Sequence, residues 1–299
     1  IDDTLDINEL GFLTRNDQMN LDYNVFNVES DVPGLRQRTT SVFITNQWNT
    51  DGKPVRLGGF LNRSYNTFDN NTYDISLRYF PERIDDRLGR GTGDFRIEGR
   101  GGINLGYRTN PAEKWAFNVS LNLGQDELGP ANTRADGGVT WRPNDRFSTD
   151  LRLSYTDREA LLVHQGDGAY TSFESHQWAP RFEMNYFLSA WQQLRFTMQW
   201  TALKAFEDRF WQSDSENLDF LQPVAKPDED SDDFVISRLT FQARYRWEIA
   251  PLSDLFVVYT RGSNLPRDNF NSFQDLLEQS WTDTVVDTLA IKLRYRFGS

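Results

Sequence analysis

The chain has 299 residues, a formal charge of −12, no cysteine and two histidines, His164 and His176. Disulfides and thiolate metal sites are therefore excluded, and a His-rich zinc centre is short of ligands. The acidic balance argues against nucleic acid, which selects basic stripes.

Length admits one large β domain or two ordinary ones. Hydrophobic residues make up 38% of the chain while aromatics reach 14%, so Phe, Tyr and Trp carry much of the apolar load. No apolar run approaches the ~18 residues that a transmembrane helix needs. The chain opens on Ile1 and shows no signal peptide, as a processed or trimmed product would. Only five basic residues are lysine and the rest are arginine, so edge protection by lysine is not the device in use.

In chain order, alternation predicts strands at 21–28, 41–49, 55–68 and 72–80. Further strands follow at 101–109, 115–124, 133–142 and 147–156. The last five are 177–188, 192–206, 234–249, 254–261 and 282–297, giving thirteen in all. Helix signals are nearly absent. Trp115, Phe117, Val119, Leu121 and Leu123 face one way, with Asn118, Ser120 and Asn122 between them. Leu239, Phe241, Ala243, Tyr245 and Trp247 alternate in the same way with Thr240, Gln242, Arg244 and Arg246. A period of two sorts side chains onto opposite faces.

The connections alternate too. Short turns at 69–71, 110–111, 143–145, 189–191 and 250–253 contrast with long polar loops at 81–100, 125–132, 157–176, 207–233 and 262–281. Strands of ten or more residues suit a tilted bilayer crossing, whereas soluble strands average ~5–6. Trp48, Tyr79, Trp115, Trp141, Trp178, Trp191, Trp247 and Trp281 stand at strand ends, where amphipathic rings match headgroups. A soluble sandwich alternates as well, but it gives no reason for long loops at one end. The expectation is an all-β, antiparallel transmembrane barrel over 18–297, with about 13–14 strands in this chain. Residues 1–17 are read as an extracellular loop or linker remnant and 298–299 as a C-terminal extension. An odd count suggests missing strands and a larger barrel, because bacterial single-chain barrels have even numbers.

Three stretches carry a resemblance: DINELGFLTRND at 6–17, RLGRGTG at 87–93 and DLFVVY at 254–259. The ending LAIKLRYRF, closing on Phe297, looks like the terminal strand by which outer-membrane barrels are recognised for assembly. Together they resemble a family of large bacterial surface proteins with an N-terminal module like the family-nine carbohydrate-binding domains and a C-terminal outer-membrane barrel of unknown function. The resemblance implies localisation in the outer membrane of a Gram-negative bacterium. It also implies contact with lipid, lipopolysaccharide and the barrel-assembly machinery. It supplies no catalytic residues.

Candidate chemistry is sparse. Arg181, Arg195, Arg238, Arg244, Arg246, Lys292, Arg294 and Arg296 fall on the polar faces of the late strands, with Asp150, Glu183 and Glu248 available to balance them. As a wet interior they would favour anions, and self-paired they would only fill space. Asp228, Asp230 and Asp232 have the odd spacing of a calcium loop, but Asp233 and Leu239 stand where its Gly and Glu belong. Surface calcium and a solvated acidic loop both remain open, and no other cofactor is expected. His164 and His176, with Ser172 or Ser175, could be imagined as a hydrolase centre, yet no spacing demonstrates a triad. Exposed aromatics at Phe210, Trp211, Phe220, Phe270 and Phe273 could stack on sugars or pack on neighbouring loops. The expected function is a pore for solutes or polymers, against a non-conducting surface anchor or, third, a barrel enzyme.

Overall fold

A computed structural model describes residues 17–89, 93–214, 217–227, 229–267 and 272–297. The strands are β1 Met19–Glu29, β2 Gln37–Trp48, β3 Pro54–Asn66, β4 Thr72–Phe80, β5 Arg83–Asp85 and β6 Phe95–Ile97. Next come β7 Arg100–Arg108, β8 Trp115–Gln125, β9 Ala131–Asn144, β10 Phe147–Gly166, β11 Ala169–Trp178 and β12 Arg181–Ser189. The remainder are β13 Gln192–Gln212, β14 Gln222–Val224, β15 Phe234–Ala250, β16 Ser253–Arg267, the helix α1 Phe273–Thr282 and β17 Val286–Arg294.

Fifteen strands form one antiparallel sheet, and β5 and β6 form a separate hairpin. Neighbours in sequence are neighbours in space, as short connections favour. One interruption is local. The C-terminal part of β10 pairs with β11 and its N-terminal part with β12. Pro180 separates the two because it has no N–H to donate. Ala179 N still donates to Ser154 O at 2.8 Å, and Trp200 N to Pro180 O at 3.1 Å, so the ladder continues past the break. Counting β11 and β12 as one line and leaving out the short β14, thirteen lines cross the sheet, as expected.

Several boundaries differ from expectation. Residues 157–176, expected as a loop, are mostly strand: β10 and β11 run on to a tight turn at Asp167 and Gly168. Strand β13 likewise extends into the expected 207–233 loop, and β14 lies within it. The 81–100 loop contains the β5–β6 hairpin. In the 262–281 segment, β16 continues and then α1 forms, capped by Ser272, whose hydroxyl accepts from Asp275 N at 3.1 Å. Trp281 therefore sits on a helix, not at a strand end, and the final strand begins at Val286. The 1–17 remnant (all but Asp17) and the 298–299 extension lie outside the described residues.

Register sorts the side chains as alternation requires. Leu194, Phe196, Met198 and Trp200 of β13 oppose Tyr245, Ala243, Phe241 and Leu239 of β15. Val257 and Tyr259 of β16 then oppose Ile291 and Leu289 of β17. Among the described residues the one other sheet is the two-stranded β5–β6 hairpin, and much of this apolar face is exposed, unlike the buried faces of a sandwich. Ile291 is 67% exposed and Leu293 60%. Helix α1 covers one patch: Leu276 is fully buried among Trp200, Ala202, Val235 and Leu239. Beneath it Trp200 Nε1 donates to Ser237 Oγ at 2.9 Å, and Ser237 and Ser280 share a hydrogen bond of 2.6 Å.

Both sheet edges are open among the described residues: β1 pairs only with β2 and β17 only with β16. Thirteen lines alternating in direction leave the two edges running the same way. Leu276→Ala should cost roughly 2–5 kcal/mol of local stability through the cavity it leaves. Limited proteolysis checks it: cleavage within α1 should speed up while the β13–β15 ladder stays protected.

Candidate functional site on the charged face

The face opposite the apolar one carries the charge, and ion pairs stitch it across strands. Arg108 reaches Asp74 at 3.5 Å between β7 and β4, while Arg152 meets Asp150 at 2.8 Å along the single strand β10. Arg78 donates to Asn122 at 2.7 Å. It lies where a Cβ on Gly102 or Gly124 would come within 2.8 or 2.7 Å of its guanidinium. Those glycines leave room for a long side chain to lie flat across the sheet.

Of the expected arginine row, Arg181 and Arg195 both turn to Glu183, the second at 3.7 Å. Arg238 donates to Asn264 at 3.1 Å. Arg246 meets Asp254 at 2.9 Å and Glu248 at 4.0 Å, and Arg294 closes on the same Asp254. Asp254 is 1% exposed. It joins β15, β16 and β17 through one carboxylate, a role that sequence reasoning missed. Only register reveals it, by setting Asp254 opposite Glu248 on one side and Arg294 on the other. Glu183 and Glu248 balance the row as anticipated, whereas Asp150 pairs with Arg152 outside it.

The remaining cations differ. Arg244 and Lys292 form no ion pair among the described residues, and Arg244 stands directly opposite Arg195. Arg195 Nε is buried without an acceptor. Like charges facing each other across a ladder are destabilising, and Glu183 offsets only the Arg195 member of this pair. For Arg296, the backbone N–H donates to Ser253 Oγ at 3.1 Å.

A second cluster sits at the end of the sheet where the longer connections gather. Arg158 contacts both Asp126 and Glu127, at 2.8 and 3.0 Å, and Arg100 meets Glu127 at 2.7 Å. Nearby, Arg83 Nη1 is buried with no partner. Burial lowers the Arg83 pKa first, and the neighbouring Arg100 and Arg56 charges lower it further. Burial alone would raise the Glu127 carboxyl. The Arg100 hydrogen bond and the charges of Arg100 and Arg158 instead hold it below its usual 4.5.

The other expected chemistry is dispersed. His176 Nδ1 lies 3.1 Å from Asp157 and 3.3 Å from the Tyr155 hydroxyl. Ser172 Oγ accepts from Trp211 Nε1 at 3.1 Å and donates to Arg209 O at 3.3 Å, and Ser175 is buried. Asp228 lies outside the described residues. Asp230 is exposed, while Asp232 accepts from Thr171 at 3.1 Å. No cluster of three metal-ligating side chains occurs among the described residues. The loop aromatics pack on neighbours: Phe220 under Arg96, Phe273 under Lys204, Phe210 under Lys226, and Trp211 against the Phe95–Tyr170 cluster. Phe270 lies outside the described residues.

Two outcomes are expected. Asp254→Asn, which leaves Arg246 and Arg294 without their shared carboxylate, should lower the thermal midpoint more than Asp287→Asn, which affects one exposed pair. Glu127, with a depressed folded pKa, contributes fully above about pH 4.5 and less as pH falls below that. Amide exchange in the 126–130 turn, corrected for intrinsic rate, should accelerate on acidification below pH 4.5. Glu127→Gln should remove that response.

No curated protein matches the chain. A solved structure described as the NanC porin in a rhombohedral crystal form aligns over 82% of this chain and 86% of that one, with 9% identity. Its TM-score of 0.26 marks a superposition too loose to bear on the fold. The family described as DUF5916, a domain of unknown function, matches residues 1–297; the chain belongs to that family.

Proposed function

We propose that this sheet is the wall of an outer-membrane β-barrel, with acyl chains against its apolar face and enclosed water against its charged face, and that it passes small hydrophilic anions. The carrying observation is the uncovered apolar face, with Leu289, Ile291 and Leu293 exposed on β17 and Trp115, Phe117 and Val119 on β8. Soluble monomers rarely expose contiguous apolar surface beyond a few hundred Å². In hydrocarbon each unsatisfied backbone group costs several kcal/mol, so the ladder has to close. Two edges running the same way close antiparallel only through an odd number of further strands, which fits a larger barrel.

Other features agree with this reading. At the short-turn end, Trp115 stacks on Trp141 at 5.3 Å, Trp141 meets Phe147 at 5.4 Å and Phe147 meets Tyr186 at 5.9 Å. A continuous aromatic row suits a membrane interface. The facing Arg195 and Arg244, with Lys292 nearby in the row, would give passing anions a favourable wall. Lipopolysaccharide, the assembly machinery acting on the terminal segment that closes on Phe297, and passive function without covalent chemistry belong to the same proposal.

A second reading, a non-conducting anchor for a carbohydrate-binding-like module, draws on one observation. The β5–β6 hairpin is tied to a distant connection, with Arg96 N donating to Asp219 O at 3.0 Å. Phe95 and Ile97 pack with Leu162, Tyr170 and Leu221. Such a strap would narrow the mouth.

Planar-bilayer recordings separate the two. A pore gives conductance steps whose reversal potential shifts toward cations in an Arg244→Glu, Lys292→Glu variant; an anchor gives no steps. Ile291→Arg tests the membrane itself and should cost ~2–4 kcal/mol for folding into lipid vesicles. A neutral outcome there would remove the proposal.

A further inference from the structure

We propose that a cavity between the β5–β6 hairpin and the charged face of β1–β3 binds a small organic oxyanion, a carboxylate or phosphate, through the guanidinium groups of Arg56 and Arg83. The cavity has a volume of about 560 Å³ and is lined by Gln47, Arg56, Phe80, Arg83, Asp85 and Arg100, among others. That volume lies within the ~300–1,000 Å³ of ordinary ligand pockets.

Its charges are unevenly satisfied. Asp85 Oδ1 already accepts from Arg87 N at 3.0 Å and Leu88 N at 2.7 Å, which fixes the start of the loop. Arg100 is engaged by Glu127. Arg83 keeps a buried Nη1 without an acceptor, and Arg56 forms no ion pair among the described residues. Arg56, Arg83, Arg87 and Arg100 thus line a hollow whose only lining carboxylates are Asp85 and Asp86, so cations outnumber anions there, and one Asp85 oxygen is already taken by the loop amides. A buried donor left without an acceptor is costly, more so when charged, and a bidentate oxyanion is the partner that guanidinium geometry fits.

The other lining groups narrow the ligand. Gln47 Nε2 donates to Gln18 Oε1, which leaves the Gln47 amide oxygen to accept from a ligand hydroxyl. The Phe80 ring lies across Gly58, where a Cβ would come within 2.3 Å of it. That ring offers one apolar wall. A compact, hydroxylated anion fits this lining, and an acyl chain does not.

The site stands at the loop end of the sheet, so its binding can be measured whether or not the sheet conducts. The test is isothermal titration of the detergent-folded full chain with citrate, with inorganic phosphate and with chloride at matched ionic strength. Saturable binding of citrate or phosphate, weakened at least roughly tenfold by Arg83→Gln and by Arg56→Gln, is expected. Unchanged affinity in both variants, equal competition by chloride, or loss of binding in Arg244→Gln instead would overturn it. If Arg83→Gln fails to fold, Arg56→Gln alone decides. A final arm compares glycerol phosphate with a short-chain phosphatidic acid: equal affinities agree with a site that reads the headgroup oxyanion, and binding of the lipid alone overturns the small-solute assignment.

Discussion

Strict alternation along the strands gives one sheet two chemically opposite faces, and everything else follows from what each face must meet. On β15, Leu239, Phe241, Ala243 and Tyr245 cannot share a medium with Arg238, Gln242, Arg244 and Arg246. A sandwich would resolve the conflict with a second sheet, but the one other sheet among the described residues is the two-stranded β5–β6 hairpin. The proposed membrane resolves it with lipid. The one patch that protein does cover, under α1, is at the outer reach of β13 and β15 and uses a helix with its own capping box.

The two faces are held together differently. Apolar contacts on one side are diffuse and interchangeable. On the other side specific pairs cross specific strands: Arg108 to Asp74, Arg246 to Asp254, Arg100 to Glu127. Half-exposed pairs of this kind contribute little individually. The buried Asp254 and the orphaned Arg83 and Arg195 nitrogens are different, because low accessibility makes satisfaction or its lack matter.

Much of this architecture was legible in the sequence because period-two alternation is a direct image of a two-faced sheet. Thirteen crossing lines and the identity of both faces could be read from residues such as Trp115–Leu123. The extension of β10 and β11 through 157–176 was not, because the bulge between Arg158 and Leu161 shifts the period there. Ser172 and Ser175 then become buried within the sheet, so polar residues that resemble a loop are in fact ladder. Helix α1 carried a readable start, Ser272 with Asp275 three residues on, overshadowed by the strands around it. The arginine row was identified as a set, but its bookkeeping depended on Asp254, whose importance comes only from which residues register places beside it.

The two charge pairs that tie β17 to β16, Arg294 with Asp254 and Asp287 with Arg261, have a consequence for how the last strand finds its place. On the proposed reading, hydrocarbon cannot tell Leu289 from Leu293, so sliding β17 by two positions would leave its greasy side equally content. Asp254 would merely exchange Arg294 for Lys292 or Arg296, another cation, but the Arg261–Asp287 pair at the other end of the strand would be lost, with Leu289 or Val285 in the place of Asp287. Alignment of the terminal strand is thus spelled out in charge, and the oily residues supply only the attraction that brings it there.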